Sequence, residues 1–278
     1  MERARPCIEG AREPLLREIV RVATRASLAA GAVLRELYAQ PHQVRHKGAI
    51  DLVTEADVAA EKRVLEELRD FGGEIAVLAE ESQASYERLP SGPVWIIDPL
   101  DGTTNFAHGF PIFAVSIAYA EGLASRAGVV YLPMQDELFC ACQGGGAWLN
   151  GRRLRVSGVE ALGKSLLATG FPYAIESEVD GVIAALRRFL LRTQGVRRAG
   201  AAAVDLAYLA AGRTDGFWEI NLKPWDTAAG ILLVSEAGGA VSTLAGGEYS
   251  PYLPELLASN GRIHAEMVEQ LRDFSRLP

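Results

Sequence analysis

Two acids and two hydroxyls directly follow an apolar run near the middle of the chain. Residues 95–97 are apolar enough for a buried strand, and Asp98 and Asp101 come where that strand is expected to end. Gly102 lets the backbone approach a ligand closely. Thr103 can begin a helix whose free N–H groups point towards that ligand. Together these residue types indicate a site for a metal ion and a phosphate group.

Two further acids lie at comparable places in the sequence. Glu80 ends a short apolar run, and Asp226 lies in the first turn of a predicted helix. If they meet Asp98 and Asp101, each pair of carboxylates about 4 Å apart repels by roughly 4 kcal/mol at an effective dielectric constant of about 20. Either some of the four acids are protonated or cations lie among them. With the carbonyl oxygen of Leu100 they form an all-oxygen set that suits Mg²⁺.

Phosphate hydrolysis is the reaction that such a site predicts. A phosphate monoester is itself an anion, so metal ions must bind it as a bridge to the carboxylates. Bound ions can also activate a water molecule and neutralise the leaving alkoxide. The N–H groups of Gly102 and Thr103 can contact the phosphate. The Thr103 hydroxyl can accept a proton from the water and pass its own proton to Glu80.

Composition places the chain among ordinary globular proteins. Its 278 residues suit one large domain or two modest ones, with 49% apolar and 23% charged residues. The formal net charge of -7 gives no bulk attraction for a polyanion, so nucleic acid is not an expected partner. The three cysteines form no metal-binding pair, which favours reduced thiols and a cytoplasmic protein. No apolar stretch predicts a signal peptide or a membrane span.

Apolar periodicity predicts two helices in the first part of the chain. Residues 15–37 repeat apolar side chains every three or four positions, which is typical of one buried helix face. Residues 40–50 lack that pattern, so His42 and His46 are expected on an exposed loop.

The second helix should begin after Thr54. Thr54 and Asp57 form a capping-box pattern, and Asp57 is either only a helix-start acid or also a support for the metal site. Gly72 and Gly73 should stop this helix. Its expected buried residues are Val58, Val64, Leu65 and Leu68.

Short apolar segments then predict antiparallel strands. Residues 113–120, 127–132 and 138–141 are separated by turn residues. Asn150 and Gly151 are the strongest hairpin signal in the chain and should join residues 148–149 to residues 154–156.

Strands and helices alternate after residue 156, which divides the chain into two halves, residues 1–156 and 157–278. Strands are expected at 165–169, 217–220 and 256–258, and helices at 182–191, 203–211, 223–233 and 263–274. In the first of these helices the residues expected to face inwards are Ile183, Leu186, Phe189 and Leu190.

Two stretches of the sequence resemble the signature motifs of the inositol monophosphatase family. The first is WIIDPLDGTTNF at residues 95–106, and the second is KPWDTAAG at residues 223–230. DLVTEAD at residues 51–57 and the acids at 80–81 come in the family's order, so the resemblance covers roughly residues 15–271. It implies an α/β fold with α/β/α/β/α layers, dependence on Mg²⁺, inhibition by lithium and a homodimer.

The resemblance also implies roles for the matching residues. Glu80, Asp98 and the Leu100 carbonyl would hold one Mg²⁺ ion. Asp98, Asp101 and Asp226 would hold a second, and Glu80 would also face a third, which gives two or three ions per site.

Catalytic and substrate contacts follow from the same resemblance. Thr103 with Glu80 would position the attacking water, and Asp57 would support them. Ala201 departs from the family, where a small hydroxyl residue often follows the matching glycine. The residues that would contact the substrate are Glu80, Leu100, Asp101, Gly102, Thr103, Gly200, Ala201, Ala202, Glu219 and Asp226.

The resemblance favours inositol 1-phosphate or a similar small polyol phosphate as substrate. Glu219 would accept hydrogen bonds from hydroxyls and repel a second phosphate. Fructose 1,6-bisphosphate remains an alternative, because four basic residues either reach a second phosphate or contact the surface or a partner subunit: Arg197, Arg198, Arg213 and Lys223. Histidinol phosphate and nucleotide 3′-phosphates are further alternatives. Some bacterial relatives also bind the transcription machinery, which leaves a regulatory role open.

Overall fold

The fold is that of a computed structural model, which describes residues 1–38, 40, 45–46, 52–69, 71, 75–82, 92–172, 175–272 and 274. The helices are α1 (Arg5–Gly10), α2 (Pro14–Tyr38), α3 (Glu55–Arg69), α4 (Thr103–Ala107), α5 (Val179–Leu190), α6 (Ala202–Ala210), α7 (Pro224–Glu236) and α8 (His264–Leu271). The strands are β1 (Arg45–His46), β2 (Leu52–Val53), β3 (Ala76–Ala79), β4 (Pro93–Asp101), β5 (Ala114–Glu121), β6 (Ala124–Leu132), β7 (Glu137–Cys142), β8 (Gly146–Leu149), β9 (Arg152–Arg153), β10 (Leu166–Thr169), β11 (Gly195–Arg197), β12 (Gly216–Glu219), β13 (Ala240–Ser242) and β14 (Leu256–Ser259).

The larger sheet confirms the predicted antiparallel strands. Its strands follow chain order from β3 to β9, with β3 and β4 parallel and every later pair antiparallel. The predicted hairpin joins β8 to β9, which begins earlier than expected. Asn150 and Gly151 have φ values of 47° and 83°, as a tight type I′ turn requires.

Strand β4 runs further than the sequence predicts. It continues past Asp98 to Asp101 instead of ending at Asp98, and its register against β5 shifts between these two residues. Asp98 Oδ1 accepts a hydrogen bond of 2.9 Å from the N–H of Leu100. This local bond stabilises the irregular backbone, and the side chains of Asp98 and Asp101 both lie at the same end of the strand.

The smaller sheet has the order β11-β10-β12-β14-β13. Strand β10 is parallel to both β11 and β12, while β14 is antiparallel to β12 and β13. The sequence predicts β10, β12 and β14 but misses β11 and β13. Those two are three-residue strands at the edges, too short to show a period of two.

The helices and sheets form the predicted α/β/α/β/α layers. Helices α2 and α3 cover one face of the larger sheet, α6 and α7 lie between the two sheets, and α5 and α8 cover the outer face of the smaller one. Three clusters of buried apolar residues occupy the spaces between these layers. Each sheet is therefore buried on both faces, and its strand ends are the places where polar side chains can reach solvent.

Two predicted helix faces are wrong in part, although Val64, Leu68 and Phe189 are buried as predicted. Val58 of α3 is 57% exposed, and Ala56 and Ala60 are buried in its place. In α5, Ile183 and Leu190 are 53% and 55% exposed, because Val182, Ala185 and Phe189 form the buried stripe. Each outward residue of α5 follows a buried one, and one step along a helix turns the side chain by about 100°. Apolar character alone did not decide between these adjacent stripes.

The first half of the chain contains elements that the sequence does not predict, and some expectations fall on residues outside the described ones. Helix α1 is not predicted, and it carries Cys7 against the larger sheet; all three cysteines are free and buried. The short pair β1 and β2 interrupts the expected loop at 40–50. His42 and the helix stop at Gly72 and Gly73 lie outside the described residues. The division of the chain at residue 156 stays a prediction.

Helices of the described chain are too short or too polar to cross a membrane.

Candidate active site

The four predicted acids come from three different elements that meet at one end of the larger sheet. Glu80 follows β3, and its N–H donates a 3.2 Å hydrogen bond to the carbonyl of Ile97 on β4. Asp98 and Asp101 lie near the end of β4, and Asp226 lies in the first turn of α7. We call Glu80, Asp98, Asp101 and Asp226 the acid cluster.

Backbone hydrogen bonds orient three carboxylates of the acid cluster. Asp98 is held by the Leu100 N–H described above. Asp101 Oδ2 accepts a 2.7 Å bond from the N–H of Ala203, at the start of α6. Asp226 Oδ2 accepts a 2.7 Å bond from the N–H of Lys223, as part of the capping box of α7. Local turn geometry thus fixes Asp98 and Asp226, whereas Asp101 depends on a contact with the second half of the chain.

The acids of this cluster repel one another. Burial raises the pKa of Asp98 well above its ordinary value, and the nearby charges of Glu80, Asp101 and Asp226 raise it further. Burial also raises the pKa of Asp101 to about 7, although the Ala203 N–H opposes that rise. A cation among these carboxylates would remove the repulsion.

Thr103 and Asp57 are in direct contact behind the acid cluster. Thr103 Oγ1 lies 2.8 Å from Asp57 Oδ1 and 3.1 Å from the carbonyl oxygen of Leu100, so its single proton can bond to either. Asp57 Oδ2 accepts bonds of 2.7 Å and 2.6 Å from the N–H and hydroxyl of Thr54. Asp57 is therefore a helix-start acid that also contacts Thr103, and its role as a support for the metal site stays a prediction.

Gly102 joins the end of β4 to α4. Its φ of 97° lies in the left-handed region that favours glycine. A Cβ at this position would lie 3.0 Å from the carbonyl oxygen of Ile112 and 3.3 Å from the Cβ of Ala201. No larger residue fits between β4 and the start of α6 without displacing one of them.

A small pocket of about 80 Å³ opens beside the acid cluster. It brings the predicted substrate residues Gly200, Ala201, Ala202 and Glu219 together with Gly102, Asp101 and Asp226. Glu80, Asp98, Leu100 and Thr103 do not line this pocket; they lie at the strand end next to it. The acid cluster and this pocket therefore have Asp101 and Asp226 in common.

Four further residues complete the pocket, namely Gly170, Phe171, Arg198 and Leu222. Of these the sequence singles out only Arg198, as one of the basic residues that could reach a second phosphate. Gly170 follows β10, and a Cβ there would overlap the carboxylate of Glu219. A glycine directly after a predicted strand was the only local signal for this approach. We call Gly170, Phe171, Arg198 and Glu219 the distal pocket.

The basic residues considered for a second phosphate separate in the structure. Arg213 forms a two-pronged ion pair with Glu137, and its guanidinium stacks 4.5 Å from the ring centroid of Tyr208. It is therefore a link between the end of α6 and β7. Arg198 instead lines the pocket while remaining an exposed side chain, so its two interpretations, a pocket contact and a surface contact, both stay open.

Similar proteins agree with this fold. The model of the inositol monophosphatase family matches residues 15–276. An inositol-1-monophosphatase from Synechocystis sp. is 45% identical over 251 residues, covering 90% of this chain and 87% of that protein. The Nus factor SuhB of Escherichia coli is 42% identical, covering 92% and 96% of the two chains. The structure of inositol monophosphatase from Anabaena (Nostoc) sp. superposes with a TM-score of 0.84 at 41% identity, covering 95% and 97%.

The chain is a phosphomonoester hydrolase, the class to which its family and the inositol monophosphatases among these relatives belong, and its buried acids at a strand end next to a small pocket suit that class. Its substrate is a small phosphorylated molecule. The chain belongs to the inositol monophosphatase family.

Proposed function

We propose that the protein is a magnesium-dependent phosphatase that hydrolyses inositol 1-phosphate to inositol and phosphate. The main observation behind this proposal is that the acid cluster and Glu219, which suit different chemical groups, border the same pocket. The acid cluster needs cations and would bind a phosphate through them, while Glu219 faces the same pocket and can accept hydrogen bonds from hydroxyls. Two similar proteins are named inositol-1-monophosphatases.

The donors of the acid cluster fit Mg²⁺. In the part of the chain that the structure describes, no three His, Cys, Asp or Glu side chains already surround a single ion position. Mg²⁺ does not require its carboxylate ligands to surround one position beforehand, because it keeps several waters and completes its coordination with phosphate oxygens. The effect of the neighbouring carboxylates on the pKa of Asp98 is the observation that favours cations here.

Each acid has a proposed place in this site. Glu80, Asp98 and the Leu100 carbonyl would hold one Mg²⁺, and Asp98, Asp101 and Asp226 a second. Glu80 would also face a third. When bound, Mg²⁺ supplies positive charge for the phosphoryl oxygens and activates water.

Thr103 and Asp57 have a proposed role in orienting the attacking water. The Thr103 hydroxyl can donate its proton to Asp57 Oδ1 and accept a proton from water with its free lone pair. This direction differs from the sequence prediction, in which Thr103 passes its proton to Glu80. Asp57 is itself fixed by Thr54, so the orientation is set before substrate binds.

Substrate positioning is assigned to the remaining residues. The N–H groups of Gly102 and Thr103 would bind the phosphate, and Gly200, Ala201, Ala202 and Glu219 would line the polyol. The pocket is small, which suits a single ring with hydroxyl groups.

A substrate panel with Mg²⁺ tests this function. Inositol 1-phosphate should be hydrolysed with the highest kcat/KM among inositol 1-phosphate, fructose 1,6-bisphosphate, histidinol phosphate, adenosine 3′,5′-bisphosphate and NADP. A preference for either of the last two would overturn the proposal. Activity should disappear with EDTA and fall on adding lithium.

A regulatory role is the second candidate, since several similar proteins are named Nus factor SuhB. A scaffolding function should survive neutralisation of Asp98 or Asp226, whereas a catalytic one should not. Complementing a deletion strain with Asp226→Asn separates the two.

We also propose a cytoplasmic homodimer whose interface includes the outer face of α5. Val179, Ile183 and Leu190 repeat every four and seven residues on this face and are exposed. Strand β11, at the edge of the smaller sheet, packs beside α5. A second copy would cover both. Ile183→Glu combined with Leu190→Glu should give a monomer by light scattering, and a monomeric wild-type protein at micromolar concentration would contradict the proposal.

A further inference from the structure

Arg198 is the basic side chain of the distal pocket, and its position is set by two neighbours. Its guanidinium carbon lies 5.4 Å from the ring centroid of Phe171. One guanidinium nitrogen, Nη1, lies 2.6 Å from where a Cβ at Gly200 would be. The side chain is exposed, and its planar guanidinium lies between an aromatic ring and a glycine, at the mouth of the pocket that contains Glu219.

Two acids face this guanidinium without bonding to it. Glu219 lines the pocket, and Asp205 is buried on α6 behind it. The charge of Arg198 lowers the pKa of both carboxyls, against the larger rise that burial causes. Among the described residues, however, Arg198 forms no ion pair or hydrogen bond with either acid, so the guanidinium and the carboxylates are close enough to attract but remain separated.

We propose that Arg198 is a specificity-determining residue that, together with Glu219, binds neighbouring hydroxyl groups of a neutral polyol. A hydroxyl both donates and accepts a hydrogen bond. It can donate to the Glu219 carboxylate and accept from the Arg198 guanidinium, and so fill the separation between them. This inference rests on the proposed phosphatase function and names the chemistry of the substrate's other end.

The charge balance of the distal pocket argues against a second phosphate. One guanidinium shares this region with two acids, Glu219 in the pocket and Asp205 buried on α6. A second phosphate would gain only one cation and would be repelled by either acid in its ionised form. A neutral diol meets no such repulsion.

The alternative is that Arg198 only supports the fold. Arg198→Met tests this, because methionine keeps part of the apolar stem and removes the charge and the donors. We expect KM for inositol 1-phosphate to rise at least about tenfold with kcat within about threefold, as expected for losing a hydrogen bond to a charged group. The inhibition constant of inorganic phosphate, which has no polyol, should stay within about twofold.

Two further variants complete the experiment. Arg198→Lys keeps the charge but not the planar fork, so its KM should lie between the wild-type and Met values. Arg152→Met, on the exposed edge strand β9 of the larger sheet, is the matched control and should not change KM.

Three outcomes would overturn the inference. KM for inositol 1-phosphate could be unchanged in Arg198→Met, the inhibition constant of phosphate could rise in parallel with KM, or fructose 1,6-bisphosphate could lose more activity than inositol 1-phosphate. Failure of the proposed function looks different, because the wild-type protein itself would then not hydrolyse inositol 1-phosphate.

Discussion

The acid cluster and the distal pocket both contain carboxylates that are buried or half-buried, but the two regions hold these groups differently. In the acid cluster, Asp98, Asp101 and Asp226 each accept a backbone hydrogen bond and have other acids as neighbours. In the distal pocket, Glu219 accepts no hydrogen bond from the described residues and faces Arg198. In the acid cluster, backbone N–H groups orient the carboxylates, and every titratable side chain is acidic. The distal pocket contains one acidic and one basic side chain.

This difference corresponds to two kinds of ligand. Ions and a transferring phosphoryl group need carboxylates at fixed positions, because a displaced ligand lowers the rate directly. A polyol offers donors and acceptors in several directions, so side chains that can adjust are sufficient. Changes in the acid cluster should therefore reduce kcat, whereas changes in the distal pocket should raise KM.

The largest expected effect is that of Asp226→Asn. Asparagine keeps the oxygen that accepts the Lys223 N–H but loses the charge, so turnover should fall by at least about 10³-fold. The metal-free protein should melt at the same or a higher temperature, because one repelling charge is gone. Asp180→Asn, at an exposed first-turn acid of α5, is the control. Activity of Asp226→Asn within about tenfold of wild type would refute the shared role of this acid.

Thr103→Val should have the next largest effect. Valine has a similar shape but cannot bond to Asp57 or to water, so kcat should fall about 100-fold with little change in KM. Thr103→Ser should restore most of kcat, because it keeps the hydroxyl. Steady-state kinetics with inositol 1-phosphate measure both, and equal losses in the two variants would show that packing, not the hydroxyl, is responsible.

Gly170→Ala tests the distal pocket without removing a charge. The added Cβ would overlap the Glu219 carboxylate and displace it. We expect KM for inositol 1-phosphate to rise about tenfold, as for one charged hydrogen bond, at nearly constant kcat. Gly158→Ala adds a Cβ in open space and should behave as wild type. A fall in kcat that exceeds the rise in KM for Gly170→Ala would show that the acid cluster and the distal pocket do not act independently.

The smallest expected effect concerns stability and pH. Burial raises the pKa of Asp205 well above its ordinary value. The folded pKa is therefore above the unfolded one, and the stabilisation present at low pH is lost as pH rises through the folded pKa. Asparagine does not titrate, so Asp205→Asn should gain stability relative to wild type as pH rises above about 4, the ordinary pKa of an aspartate. Thermal melts in EDTA measure this difference, which should not be constant with pH.

Local signals in the sequence were reliable where one turn decides the structure. The capping box of Thr54 and Asp57, the hairpin at Asn150 and Gly151 and the glycine before α4 formed as predicted. Burial was less reliable. Ile183 is as apolar as its buried neighbour Val182, and only the direction in which α5 packs decides which of the two faces the core.

The distal pocket shows the same limit at the site. Arg198, Phe171 and Asp205 carry no motif, and their meeting depends on how β10, β11 and α6 are placed in the smaller sheet and the middle layer. No sequence motif distinguishes Arg213 from Arg198. In the structure Arg213 links α6 to β7, whereas Arg198 lines the pocket.

The residue types around Asp98 and Asp226, and their order along the chain, are sufficient to indicate phosphatase chemistry and to predict hard cations at this site. How the site is completed depends on tertiary packing. Asp101 is held by the N–H of Ala203, 102 positions further along the chain, and Arg198 lies beside Glu219. Such contacts exist only once the two sheets have packed against the same pair of helices, and no local pattern in the sequence records that packing.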